Sequence, residues 1–175
     1  MRSSAMRMRI LLSLLFLLGG LLLAGSGYSD NAQQLLMFRT LQKGVVSPYD
    51  NHQPDPAQVS VIRNHTDWAN FWNMLYINSS STPDLPSVDF GENFVVAVVD
   101  APRPTGGYSI TITSIQFLQP KSAGVRVNCS RISPGQGCMV SQSSTQPFHI
   151  VTVPIFPGEA TLALFSWEKM ANCSY

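Results

Sequence analysis

Residues 94–117 read FVVAVVDAPRPTGGYSITITSIQF, and this stretch decides the fold class. Its first six residues form a continuous apolar run, which is typical of a β-strand buried on both faces. Its second half alternates apolar and polar residues, as expected for a strand with one buried face. The apolar parity then slips by one residue, which predicts a β-bulge near Thr113 and Ser114. Two strands joined by a loop rich in proline and glycine therefore form the centre of a β protein.

Further short strands are predicted on both sides of this stretch. Twelve prolines, twelve glycines and many small polar residues supply frequent turn signals between them. Residues 44–56 hold three prolines and are predicted to form a loop. The predicted strands cover residues 35–41, 58–63, 125–129, 148–153 and 160–167.

One amphipathic helix is predicted between two of these strands. Its apolar residues recur with a 3.6-residue period, at Trp68, Phe71, Trp72, Leu75 and Tyr76. Thr66 is the predicted N-cap. A stripe with two tryptophans also suits a ligand face, but such stripes more often form core, so the helix is predicted to dock on a sheet. The expected fold is mainly β, a sandwich (an immunoglobulin-like one included) or a partly open barrel, with this helix packed on it.

The N-terminal residues predict export. Three arginines precede an unbroken apolar run at residues 10–24, which is shorter than the roughly 20 residues that cross a bilayer. Residues 1–26 are therefore predicted to be a signal peptide, with an uncleaved anchor as the alternative. Residues 23–26 (LAGS) resemble a bacterial lipoprotein box in which Ser26 replaces the lipidated cysteine. We expect a periplasmic or extracellular protein that meets the cell envelope only through a retained leader, or through lipid in its relatives.

Beyond the leader, residues 27–37 are predicted to be a flexible tether and residues 38–175 a single domain. With a net charge of +1 and 12% charged residues, the chain lacks the excess of positive charge that nucleic-acid binding requires. Cys129 and Cys138 flank a turn-forming stretch, which predicts a disulfide between them in an oxidising compartment, with two buried thiols as the alternative. Cys173 is left over. No metal site is predicted, because the cysteine spacing does not suit zinc.

The residues that carry chemistry are few and scattered. His52, His65 and His149 are not clustered, and no nucleophile elbow or phosphate loop is present. His149 is out of phase with its apolar neighbours Phe148 and Ile150, which predicts an exposed or half-buried side chain with a structural role. We therefore expect a binding protein without a cofactor, not an enzyme.

The loop at residues 103–108 is the candidate site for a protein partner. Its prolines stiffen the backbone and its glycines permit positive φ or close approach, so immobilising it costs little entropy. Arginine and tyrosine are enriched at binding hot spots, and Arg103→Ala is expected to weaken binding with little effect on stability. A purely structural turn is the alternative. The candidate residues are Arg103, Pro104, Thr105, Gly106, Gly107 and Tyr108.

The chain resembles a known family at several points. The segment PSVDF at residues 86–90, the apolar strand, and RPTGGYSI at residues 103–110 are similar to the C-terminal domain of PrcB-type proteins. These proteins are named for a subunit of a bacterial surface protease complex. The likeness extends over residues 38–154. It implies a secreted or lipid-anchored, non-catalytic accessory that associates with a protease and stabilises it.

A second likeness is narrower. RPTGGYSI also resembles the NPTTGY loop of chagasin-type cysteine-protease inhibitors, which are immunoglobulin-like sandwiches, and residues 157–164 are similar to a later segment of those inhibitors. The Arg-Pro-Trp-type loop of that family is replaced by SWEK at residues 166–169, and its glycine-rich middle loop is not evident. Protease inhibition is therefore the second hypothesis, and a hydrolase that uses His149 is the third.

Overall fold

A computed structural model describes residues 34–48, 57–118, 124–155 and 162–172, and describes 162–172 by their backbone only. All of these residues belong to one compact unit. They form eight strands and one helix: β1 Gln34–Leu36, β2 Arg39–Val46, β3 Gln58–Ile62, α1 His65–Leu75, β4 Asn93–Val99, β5 Ser109–Leu118, β6 Gly124–Pro134, β7 Gln146–Pro154 and β8 Leu162–Asn172.

The strands form two four-stranded sheets. Sheet A has the order β1-β5-β6-β8, and sheet B has the order β2-β7-β4-β3. Neighbouring strands run antiparallel except β6 and β8, which pair in parallel along their full lengths. Buried side chains of both sheets share one apolar cluster, so the sheets pack face to face. The fold is a mainly β sandwich, as the sequence predicts.

Strand β4 lies at the centre of the molecule because both of its faces are covered. Phe94, Val96 and Val98 contribute to the cluster between the sheets. Val95, Ala97 and Val99 contribute to a second cluster, which sheet B forms with α1. The continuous apolar run therefore predicted a doubly buried strand correctly. The predicted bulge is also confirmed, since the β5–β6 register shifts between Ile112 and Ser114.

Helix α1 packs its two tryptophans into the core. Trp68 and Trp72 are 1% and 2% exposed, so the interpretation of the stripe as core is confirmed. Their indole N–H groups donate hydrogen bonds of 2.9 Å each to the carbonyl oxygens of Pro86 and Pro83. The predicted N-cap is wrong by two residues, because the side chain of Asn64 accepts the hydrogen bond from the Asp67 amide. No helix within the described residues is long and apolar enough to span a membrane.

The first two strands depart from the predicted boundaries. β1 begins inside the predicted tether, and its Leu36 is buried between the sheets, so residues 34–36 belong to the domain. β2 continues into the predicted loop as far as Val46, which is buried under α1. Gly44 stays in this strand because it lies against the Phe148 ring, and packing of this kind overrides the weak strand propensity of glycine. The leader and its Ser26 lie outside the described residues.

Candidate functional site

The predicted binding loop connects β4 to β5 and is fastened to the segment that leads into β7. Arg103 and Thr145 exchange two backbone hydrogen bonds of 2.7 and 2.9 Å, and the Gly106 amide donates to the Ser141 carbonyl at 2.9 Å. The hydroxyl of Thr145 adds a bond of 2.8 Å to the Thr105 carbonyl. The loop therefore has a fixed backbone, as its prolines predicted, but a second segment of chain holds it.

That second segment forms the outer surface. Within residues 103–108 only Pro104 is exposed, whereas the other five side chains or glycines are partly buried. Residues 141–144 are exposed, and Met139 is 97% exposed. We call residues 103–108 together with residues 136–144 the two-loop surface. The sequence signal for its outer part is weak, because residues 136–144 (QGCMVSQSS) are uncharged and follow no strand or helix period.

A buried ion network anchors this surface. The carboxylate of Asp100 is fully buried and accepts hydrogen bonds from Arg103 Nε at 3.1 Å, from Arg103 Nη2 at 2.8 Å and from Arg131 Nη2. It also accepts one from the Ala101 amide at 2.9 Å. The Arg103 guanidinium lies 5.6 Å from the centre of the Tyr108 ring. Arg103 is thus an internal anchor, and on these contacts we expect its removal to lower the stability, contrary to the expectation from the sequence.

The backbone conformation and the close packing of Gly107 explain why the loop requires glycine at this position. Its φ is +82°, a left-handed conformation that side chains with a Cβ disfavour. A Cβ on this residue would also lie 2.7 Å from Val140 Cγ1 and 3.1 Å from Pro134 Cβ. Gly107 therefore serves both purposes that the sequence suggested, positive φ and close approach.

The predicted disulfide between Cys129 and Cys138 is wrong. Cys129 is a free thiol, 3% exposed, that faces the core between the sheets, and burial raises its pKa to about 12. Strand β6 runs on through Pro134 instead of folding back, so Cys129 lies several residues up a straight strand from the turn. Cys138, beyond that turn, is disulfide-bonded. Cys173 lies outside the described residues.

His149 is buried, contrary to the sequence prediction. β7 is an inner strand of sheet B, so Phe148 and Ile150 face α1 while His149 faces sheet A. Its Nδ1 accepts a hydrogen bond of 2.8 Å from the Ile112 amide, and its Nε2 lies 2.9 Å from Thr40 Oγ1. Burial first, and the charge of Lys43 second, lower the pKa of His149 to about 4. It is a neutral link between the sheets.

The other candidate chemistry does not come together. His65 is the first residue of α1 and sits edge-on to the Phe90 ring, with 4.8 Å between ring centres. In the part of the chain that the structure describes, no three histidine, cysteine or acidic side chains are placed to hold a metal ion. His52 lies outside the described residues.

Comparison with known families singles out the region around the loop. Residues 94–154 match the family model described as PrcB C-terminal. Over these residues the chain is similar to the PrcB C-terminal family. No curated protein and no solved structure matches the chain significantly. The PrcB C-terminal match begins at Phe94 in β4, ends with β7, and includes the complete 103–108 loop.

The strands within the matched residues are the inner strands of the two sheets. β5 and β6 are the inner strands of sheet A, and β4 and β7 are the inner strands of sheet B. The four outer strands, β1, β2, β3 and β8, lie outside the PrcB C-terminal match. This chain therefore flanks the matched part of its sandwich with a further strand on each edge.

Proposed function

We propose that this chain is an exported, non-catalytic accessory protein that associates with a protease and stabilises it. The observation that carries the proposal is the PrcB C-terminal match over residues 94–154. The resemblance of the chain to PrcB-type proteins implies a subunit of a protease complex. Export is supported by the predicted leader, and intact-mass measurement of the mature protein should show a start near Ser26 without an acyl chain.

The two-loop surface is the proposed contact with the partner. Its backbone is fixed by the Arg103–Thr145 and Gly106–Ser141 hydrogen bonds, so docking requires little ordering. Met139 and Pro104 are its most accessible parts. No charged residue lies between Arg131 and Glu159, which suits an uncharged, apolar recess on the partner.

The alternatives receive less support. A hydrolase needs an accessible general base, but His149 is 3% exposed and both of its ring nitrogens are engaged. A chagasin-type inhibitor needs several loops at one end of the sandwich. Residues 166–169, which stand where the resemblance expects one such loop, lie inside β8 and pair with residues 128–131 of β6.

Co-purification from the native host tests the proposal. We expect the tagged full-length chain to bring down a protease whose activity survives in the complex, and we expect papain to keep its activity at equimolar amounts of the chain. Loss of papain activity would instead support the inhibitor. Met139→Ser should reduce recovery of the protease, whereas Ile77→Ser, a similarly exposed apolar residue (68%) beyond the end of α1, should not.

A further inference from the structure

Among the described residues, the outer flank of β2 is open along the edge of sheet B. β7 pairs with one side of β2, and no strand of the described residues pairs with the other. Five of the eight residues of β2 are exposed, so little side-chain packing covers this edge. An edge strand presents unpaired N–H and C=O groups in the spacing that an incoming strand requires.

A groove lies beside the start of β2. Its volume is about 380 Å³, enough to take side chains of a bound peptide. One wall is formed by residues 37–39 and Leu41, with Met37 79% exposed, and the facing wall includes Val88 and Asp89. The groove also contacts Thr152 and Pro154 of β7, so it lies over the paired side of the start of β2 and does not extend along the open flank.

The charged residues of β2 itself are all basic. Between Gln34 and Pro48 the chain holds no acidic residue, and β2 carries Arg39 and Lys43. Lys43 is exposed, with its ammonium 2.6 Å from the Thr111 hydroxyl. Two copies of this edge would bring like charges together, which disfavours pairing of the chain with itself. An incoming strand with acidic side chains gains a favourable cross-strand pair at Lys43.

The register of β2 limits where a strand can add. The β2–β7 pairing shifts between Thr40 and Gln42, and the five residues from Gln42 to Val46 then pair without interruption. An incoming strand finds a regular template only along this part. From the open flank, the register and the charge of Lys43, the geometry points to β2 as the acceptor for an extended segment of a partner protein that places acidic side chains beside Lys43. This site is separate from the two-loop surface and does not depend on it.

Synthetic peptides test this inference on the full-length protein. The probe is an extended peptide in which valine alternates with glutamate, and its binding is followed by fluorescence anisotropy and by amide hydrogen exchange. We expect the peptide to bind and to slow exchange of the amides in residues 42–46. The same peptide with alternate backbone nitrogens methylated should not bind, because it keeps every side chain but loses the main-chain donors. A lysine–valine counterpart should bind more weakly than the glutamate peptide.

Charge reversal identifies the contact. Lys43→Glu should reverse the preference, so that the lysine–valine peptide binds better than the glutamate peptide. Arg63→Glu, an exposed basic position just after the opposite edge strand β3, should leave the preference unchanged, with circular dichroism confirming that both variants fold. The inference is overturned if the methylated peptide binds as well as its parent, if no glutamate peptide binds, or if the amides of residues 42–46 are already protected in the free protein.

Discussion

At the scale of single residues, Asp100 is the centre of a buried ion network. Its buried carboxylate is shared by two guanidinium groups, and the side chain of Gln146 donates to its main-chain carbonyl at 3.0 Å. A buried charge that loses its partner is costly, because water does not replace the lost interaction. The network therefore matters more for the order of the two-loop surface than for its contact with a partner.

The first prediction concerns this network. Asp100→Ala should lower the free energy of unfolding by about 3–5 kcal/mol, because it leaves two cations buried beside each other. Arg131→Ala should cost a similar amount, while Arg103→Ala should cost less, since Arg103 is 16% exposed and Arg131 only 3%. Urea denaturation measures all three. Equal and small effects, within about 0.5 kcal/mol of the wild type, would show that the network is not a structural anchor.

The second prediction concerns His149 and pH. Its pKa in the folded protein is about 4, below the ordinary value of 6.5, so the unfolded chain takes up the proton first as the pH falls. The stability that neutral His149 supports is therefore complete above about pH 6.5 and is lost between there and about pH 4, to the extent of about 3 kcal/mol. The groups that face this ring are Thr40, the Ile112 amide and Lys43.

Two variants separate His149 from other groups that titrate in this range. In His149→Gln the stability should change less between neutral and acidic pH than in the wild type, although the variant is less stable at neutral pH. His65→Gln, at an exposed position, should keep the wild-type slope. Denaturant titrations at several pH values provide the comparison, and identical slopes for all three proteins would contradict the assigned role of His149.

At the scale of elements, the contact between the two loops depends on glycine. Gly107 and Gly137 share a φ near +80°, but an added Cβ meets Val140 and Pro134 at Gly107 and nothing within 4 Å at Gly137. Both alanine substitutions carry the backbone cost of about 1–2 kcal/mol. Gly107→Ala should cost about 1–3 kcal/mol more from overpacking. Thermal or urea denaturation should show the difference, and Val140→Ala should restore part of it. Equal costs at the two glycines would contradict the packed contact.

Elements with a strong pattern were predictable from the sequence. The apolar run of β4, the parity slip at Thr113 and the tryptophan stripe of α1 all lie where the periodicity places them. The errors lie where tertiary contacts decide. β2 extends past Gly44 because this glycine packs against the Phe148 ring of β7. The residues next to Gly44 in the sequence do not indicate this contact, because Phe148 lies far away along the chain.

The geometry of the candidate loop was predicted only in part. The loop sequence predicted a fixed backbone, because proline and glycine determine the backbone dihedral angles at their own positions. It did not predict that Arg103 turns inward to Asp100, because the burial of Asp100 depends on strands that are distant in sequence. His149 was misplaced for a related reason. Alternation indicates which face of a strand a residue occupies, but it does not say that the second face of β7 is covered by sheet A.

At the scale of the whole molecule, the PrcB C-terminal match coincides with the four inner strands, and the two-loop surface belongs largely to that part. The outer strands lie outside the matched residues. Of these, β2 leaves its outer flank open among the described residues. The two proposed contact surfaces are therefore separate, one made of fixed loops and one made of a strand edge.

The central claim is that the chain stabilises a protease without blocking it. The most direct measurement is the half-life of the co-purifying protease at its working temperature, with purified full-length chain titrated from none to a molar excess. We predict that the half-life rises until the two proteins are equimolar and then levels off, while the initial rate of proteolysis stays constant. An initial rate that falls in proportion to the added chain, or a half-life that does not change, would contradict the account.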